Sequence, residues 1–175
     1  MRITLRAITV EDTDLILRWR NSESVRKNFL FRQKLTREAH LNWLHQKVQT
    51  GEAYQFIILD ASDDKPLGSV YLRDFDSANR KAEFGIYLGE ESARGKGVGT
   101  EAARLILSFA FERLELNRVF LRVISTNLRA IRSYEKAGFI REGCFRQDVI
   151  LQGQPTDIVF MAILKEDYYK DRDSL

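Results

Sequence analysis

A chain of 175 residues is long enough for one domain that removes roughly 70% of its unfolded surface from water. Its 44% hydrophobic and 30% charged residues are ordinary for a globular protein and argue against disorder. With 28 basic against 25 acidic residues, the net charge of +3 is too small to imply nucleic-acid binding.

Cys144 is the sole cysteine, so an internal disulfide is impossible and a reducing compartment is expected. The opening Met1-Arg2-Ile3-Thr4-Leu5-Arg6 lacks the apolar core of a secretion signal. No apolar run approaches the roughly 20 residues needed to cross a bilayer. The expectation is a soluble cytoplasmic protein with no membrane partner.

In chain order, Ile3, Leu5 and Ala7 alternate with polar neighbours between Arg2 and Ile8, the pattern of a half-buried strand. Thr9 opens a Thr-x-x-Asp capping pattern for a helix with Leu15, Ile16 and Trp19 on one side. From Ser24 to Arg37 the chain holds Arg26, Lys27, Arg32, Lys34 and Arg37 without an acid: either a solvated surface or a rim that attracts an anion. Thr36 caps a second predicted helix carrying Leu41, Leu44 and Val48. Strands are expected over Tyr54 to Leu59, Leu67 to Phe75 and Ala82 to Leu88, with turns at Asp63-Asp64-Lys65-Pro66 and Asp76 to Arg80.

Next comes Arg94-Gly95-Lys96-Gly97-Val98-Gly99-Thr100, running into a predicted helix from Thr100 to Leu114. Residues without side chains let backbone N–H groups close on phosphate oxygens, and the helix N-terminus adds its positive end. A Walker loop is excluded because no Lys precedes Thr100. The strict G-x-G-x-x-G dinucleotide fingerprint is not met, because Thr100 stands where Gly95-x-Gly97 requires a third glycine. Beyond the helix follow a β-branched strand from Asn117 to Ile124 and a short helix from Leu128 to Ala137 closed by Gly138. Two strands are expected between Phe139 and Leu164, turning near Gln152-Gly153-Gln154-Pro155.

The order β-α-α-β-β-β-α-β-α-β-β predicts a mixed sheet rather than a doubly wound parallel one. This order, the [QR]-x-x-G-x-G spacing of Arg94, Gly97 and Gly99, and Asn127-x-x-Ala130-x-x-x-Tyr134-x-x-x-Gly138-Phe139 resemble the GNAT superfamily of N-acetyltransferases over nearly the whole chain. The resemblance implies an α/β (α+β) acyl-CoA N-acyltransferase fold, a mixed central sheet of about seven strands with four helices. It implies one domain over 1–175, with acceptor specificity in 1–50 and an acetyl-CoA core in 82–139.

It also implies acetyl-CoA as co-substrate, with Arg94, Gly95, Lys96, Gly97, Val98, Gly99 and Thr100 on its pyrophosphate and Arg132 among the cofactor contacts. Asn127 and backbone groups at Ile86, Tyr87 and Leu88 would meet the pantetheine arm. Tyr134 would protonate the departing thiolate. Helical geometry sets Asn127 and Tyr134 on one stripe, about 10 Å apart along the axis. A phenol suits the task, since a thiol of pKa about 8.5 leaves as an anion that takes up a proton.

Glu83 is the candidate general base, acting through water, with Asp74 behind it; an outward strand carboxylate is the competing reading of Glu83. Gly85 fits a bulge or a close backbone approach. His40 and His45 on the second helix have no metal-type spacing, and no metal site is expected.

For the acceptor, Trp19-Arg20-Asn21, Val25-Arg26-Lys27-Asn28-Phe29 and His40-Leu41-Asn42-Trp43-Leu44 resemble GNAT enzymes that acetylate a nucleotide-linked amino sugar of the pseudaminic-acid type. Trp19, Arg20, Asn21 and Arg26 are the substrate-binding candidates. The basic stretch would meet a diphosphate and Trp19 a base, although Trp19 also reads as core. The alternatives are a RimJ/RimL-like acetyltransferase of protein N-termini and, from another class, a non-catalytic acyl-CoA sensor. A polyamine acceptor fits less well, because the acids are scattered. An apolar edge on the last strand points to a possible homodimer.

Overall fold

The computed structural model describes residues 1–173. Seven strands form one mixed sheet in the order β1-β2-β3-β4-β5-β7-β6. They are β1 (Ile3–Ala7), β2 (Tyr54–Asp60), β3 (Pro66–Asp76), β4 (Lys81–Leu88), β5 (Arg118–Ile124), β6 (Ile140–Leu151) and β7 (Gln154–Leu164). Every neighbouring pair is antiparallel except β4 and β5. Six α-helices accompany them: α1 (Thr13–Asn21), α2 (Glu23–Arg26), α3 (Arg37–Trp43), α4 (Val98–Ser108), α5 (Leu128–Lys136) and α6 (Lys165–Asp173). Among the described residues no helix is long and apolar enough to cross a membrane.

Two of these helices exceed the four expected from sequence. The four residues of α2 are too few to display a period, and α6, KEDYYKDRD, has no apolar stripe that would mark it. The capping pattern at Thr9 is present: the Thr9 N–H donates to the Asp12 carboxylate at 2.8 Å, closing a 3-10 turn that leads into α1. Both long helical stretches relax into π geometry at their ends, over Leu44–Val48 and Phe109–Arg113.

Side-chain alternation divides the sheet into two faces. On one, Val70, Leu72, Phe84, Val119, Leu121 and Val123 pack with Val98, Ala102, Ile106 and Ile131 of α4 and α5. On the other, Ile57 and Tyr87 pack with Ile16, Trp19, Val25 and Leu44 of the N-terminal helices. The strand at the C-terminal edge is β6, not the last strand: β7 lies between β5 and β6, and the exposed large apolar side chains Ile140, Phe145 and Ile150 belong to β6.

One break in this pattern positions everything that follows. The parallel pairing of β4 and β5 covers only Lys81, Ala82 and Glu83 opposite Arg118, Val119 and Phe120. Beyond it β4 remains paired to β3 and β5 to β7, so the two strands diverge and a gap opens in the sheet. The crossover between them is α4, as a parallel connection requires.

Candidate active site

A cavity of about 680 Å³ occupies the gap and reaches both faces of the sheet. Its wall on the α4/α5 side begins at the glycine run. Gly95 (φ 77°) and Gly97 (φ 81°) are both left-handed, a conformation that costs glycine little and other residues more. Gly97 caps α4, so the helix starts at Val98, two residues before the expected Thr100. The N–H groups of Val98, Gly99 and Thr100 in this first turn have no intrahelical acceptor, and the helix dipole points its positive end the same way. The Thr100 and Ser133 hydroxyls, 3.0 Å apart, fasten the turn to α5.

The basic residues around this loop differ from expectation. Arg94 turns inward, donating to the Leu88 carbonyl at 3.2 Å and the Ser24 hydroxyl at 3.0 Å, and so braces the loop against β4 and α2. Arg132 is exposed and does not line the cavity. Arg129, one turn earlier on α5, lines it instead and reaches the loop: a Cβ on Gly95 would lie 3.8 Å from its guanidinium. A residue three positions away sits on the same helical side but nearer the N-terminus, a choice that spacing alone leaves open.

Asn127 and Tyr134 both line the cavity. The Asn127 side-chain oxygen caps α5 by accepting from the Ala130 N–H at 3.3 Å, and its NH₂ approaches Asn28 at 3.4 Å. The Tyr134 ring packs edge-on to Phe84 and Phe139, with centroids 5.7 and 6.0 Å away, and burial raises the phenol above its usual 10. Along β4, Ile86, Tyr87 and Leu88 pair with Val70, Ser69 and Gly68 on one edge only. In an antiparallel pair alternate residues turn their N–H and C=O outward, here into the gap.

On the opposite face Glu83 is 5% exposed. Its carboxylate accepts from Arg122 Nε at 2.9 Å and Nη2 at 3.2 Å, and from Arg73 Nη2 at 3.0 Å and Nε at 3.2 Å. Burial pushes its pKa up, but the Arg122 hydrogen bonds and the charges of Arg73 and Arg122 outweigh this and hold it below 4.5. Glu83 is thus neither an outward carboxylate nor a good proton acceptor, because its lone pairs are engaged and its basicity is reduced. Asp74, the other candidate base, is exposed and does not line the cavity.

Gly85 answers to a close approach rather than a bulge: an added Cβ would fall 2.2 Å from the Tyr71 ring. A polar chain closes the same face, with Trp43 Nε1 donating to Gln55 at 2.8 Å and Gln55 donating to Ser69 at 3.0 Å.

Of the four acceptor candidates, two do other work and a third lies off the cavity. Trp19 is 2% exposed and its indole N–H donates to Glu90 at 2.9 Å, so it is core and offers no face for a base to stack on. Asn21 pins the following loop by bonding both the carbonyl (2.9 Å) and the N–H (2.8 Å) of Leu35. Arg26 does not line the cavity. Part of the basic stretch is engaged elsewhere: Arg32 donates to the Lys27 carbonyl at 2.6 Å and to Gln152 at 3.1 Å, Arg37 pairs with Asp14, and Lys27 alone of its five cations lines the cavity. Arg20 does line it, with its guanidinium carbon 3.5 Å above the centre of the Phe29 ring.

Tyr71, Arg73, Arg122 and Arg129 were missed by sequence reasoning. The first three lie on alternating positions of β3 and β5, which reveal a shared face only once the strand register is known. Among the described residues no cluster of three or more His, Cys, Asp or Glu could hold a metal ion.

Residues 2–140 match the acetyltransferase (GNAT) domain family. The probable N-acetyltransferase YjcK of Bacillus subtilis is 37% identical over 122 residues, 70% of this chain and 67% of that protein. The putative ribosomal N-acetyltransferase YdaF of the same organism is 36% identical over 106 residues, 61% of this chain and 57% of YdaF. The spermidine N(1)-acetyltransferase of Escherichia coli is 28% identical across 95% of this chain and 88% of its own length. A solved spermidine N-acetyltransferase from Vibrio cholerae, in complex with CoA and spermine, has the same fold, with a TM-score of 0.88 at 24% identity over 95% of this chain and 98% of that one.

Proposed function

The chain belongs to the GNAT acetyltransferase family and is an acetyl-CoA-dependent N-acetyltransferase, and from that premise we propose that its acceptor is a primary amine on a molecule that also carries negative charge, such as a nucleotide-linked amino sugar. One observation carries the proposal. The acceptor face presents Arg20, Lys27, Arg73 and Arg122 to the cavity, and its one carboxylate, Glu83, is already engaged by two of them. A polyamine is a chain of cations and needs unpaired carboxylates; this wall repels it. The spermidine enzymes among the relatives thus share the fold while this acceptor wall favours a substrate of opposite sign.

Acetyl-CoA supplies an activated thioester when bound. In our reading the amides of Val98, Gly99 and Thr100 hold its pyrophosphate, Arg129 adds positive charge, and the gap-facing groups of Ile86, Tyr87 and Leu88 with Asn127 align its arm. Tyr134 keeps its proton until the amine has attacked the thioester carbon and the carbon–sulfur bond breaks, then gives it to the thiolate. The proton lost from the amine nitrogen passes to water, and the phenol is restored from solvent. Glu83 acts by positioning Arg73 and Arg122 rather than as a base. Exposed Ile140, Phe145 and Ile150 along β6 support a self-associating form of the enzyme.

The test is release of free CoA thiol with a panel of acceptors: a nucleotide-linked amino sugar, peptides with free N-termini and spermidine. The highest kcat/KM is expected for the nucleotide sugar. Preference for spermidine would overturn the proposal, and preference for peptides would favour the ribosomal-protein type that the YdaF relationship raises.

A further inference from the structure

Arg20 carries a positive charge that nothing in its surroundings answers. Its Nη1 is buried without a hydrogen-bond partner. The titratable groups that neighbour it are Tyr71, Tyr87 and Arg73, with no carboxylate among them. Arg73 and Arg122, which share the cavity, are both paired to Glu83. Burial pulls the Arg20 pKa down, yet a guanidinium stays charged at any working pH. A half-buried cation with no counter-ion is unfavourable by itself, and stacking on Phe29 leaves the buried Nη1 without an acceptor.

A second unsatisfied donor lies next to it. The Tyr87 hydroxyl is buried with only the Ser69 side chain near enough to interact with it and no well-formed hydrogen bond, and Tyr87 meets the same Phe29 ring edge-on at 5.7 Å. Burial raises this phenol, so it remains a donor. Phe29 therefore gathers a guanidinium and a hydroxyl at one place in the wall. Tyr71 lines the same cavity as Arg20, Tyr87 and Tyr134, so this place and the reaction point share one space.

We infer that Arg20 and Tyr87 form an oxyanion subsite that seats a carboxylate or phosphate of the acceptor close to its reacting amine. The inference rests on the anionic acceptor proposed above and narrows it. The recognised charge lies within a few bonds of the amino group, as in an amino acid or a sugar phosphate, instead of on the outer basic stretch. Two donors on one side match the paired oxygens of a carboxylate or of a phosphate edge.

Thermal unfolding and kinetics of Arg20→Met, Tyr87→Phe and the exposed control Lys34→Met test it. Without CoA and at constant ionic strength, inorganic phosphate or acetate should raise the Tm of the wild type and of Lys34→Met. Arg20→Met should lose that part of the response and, without anion, melt no lower than the wild type. Anion binding at the glycine loop is common to all variants and drops out of the comparison. A response to acetate alone identifies a carboxylate, and to phosphate alone a phosphate. With the anionic acceptor, Arg20→Met should raise KM by about 10- to 100-fold, the worth of a charged hydrogen bond, with kcat nearly unchanged and an uncharged amine unaffected.

Equal anion responses in the wild type and Arg20→Met, or equal losses for charged and uncharged amines, would overturn the subsite. Should Arg20→Met fail to fold, Tyr87→Phe, which removes one oxygen, carries the same comparison with a smaller shift. If the wild type acetylates only polyamines, the acceptor proposal falls, while the anion-dependent Tm difference still decides the subsite.

Discussion

Tyr134 shows how one side chain is tuned by its immediate surroundings. Phe84 and Phe139 enclose its ring, and loss of water around the phenol raises its pKa above 10. The hydroxyl therefore holds its proton through the neutral and alkaline range and is available to hydrogen-bond a thiolate, although the same shift makes it a weaker acid. Tyr134→Phe should lower kcat by about 10²-fold or more while the Kd for CoA, measured by calorimetry, changes less than twofold. An unchanged kcat would remove Tyr134 from the chemistry. Its place on the cavity wall could be anticipated from sequence because the signal is local: Asn127, Ala130 and Tyr134 share a stripe of one helix. Glu83 is the contrary case. Its partners Arg73 and Arg122 are 10 and 39 residues away on other strands, so a base and an ion-pair anchor look alike until the register is known.

At the scale of elements, the start of α4 depends on backbone conformation alone. A Cβ on Gly97 would meet nothing within 4 Å, so the glycine is required by its φ of 81° and not by space. Gly97→Ala should cost roughly 1 kcal/mol of stability. It should also weaken CoA binding severalfold by turning the first amides of the helix, as thermal melting and a CoA titration can report. A Kd equal to that of the wild type would separate the loop conformation from binding. Glycine spacing made this element legible, and periodicity made most of the strands legible. Unmarked elements escaped: α2 is a single turn, and α6 is held by its contacts with β7 rather than by a pattern of its own.

For the whole molecule, the Glu83 carboxylate joins β3, β4 and β5 through Arg73 and Arg122, on the last β4 residue paired to β5. Its pKa is depressed in the folded state, so its contribution is complete above the ordinary value of 4.5 and is lost as the pH falls below it. Asp12, held down chiefly by Arg6, acts in the same direction from 3.8, and buried His40 begins a gentler loss below 6.5. Urea midpoints measured against pH should thus fall more steeply below pH 4.5 for the wild type than for Glu83→Gln, which should already be weaker at pH 7. Parallel curves would show that Glu83 has no such role. Strand order was legible in outline, because hairpins preceding a crossover helix leave few arrangements; the place where β4 and β5 part was not, since it depends on which neighbour each strand keeps. That parting also has a consequence for descent. The two walls of the gap come from different parts of the chain, one from the N-terminal segment over the sheet and the other from α4 and α5. Mutations can rework one wall while the other keeps its chemistry. A lineage built on this sheet can change the molecule it modifies without relearning how to hold its donor.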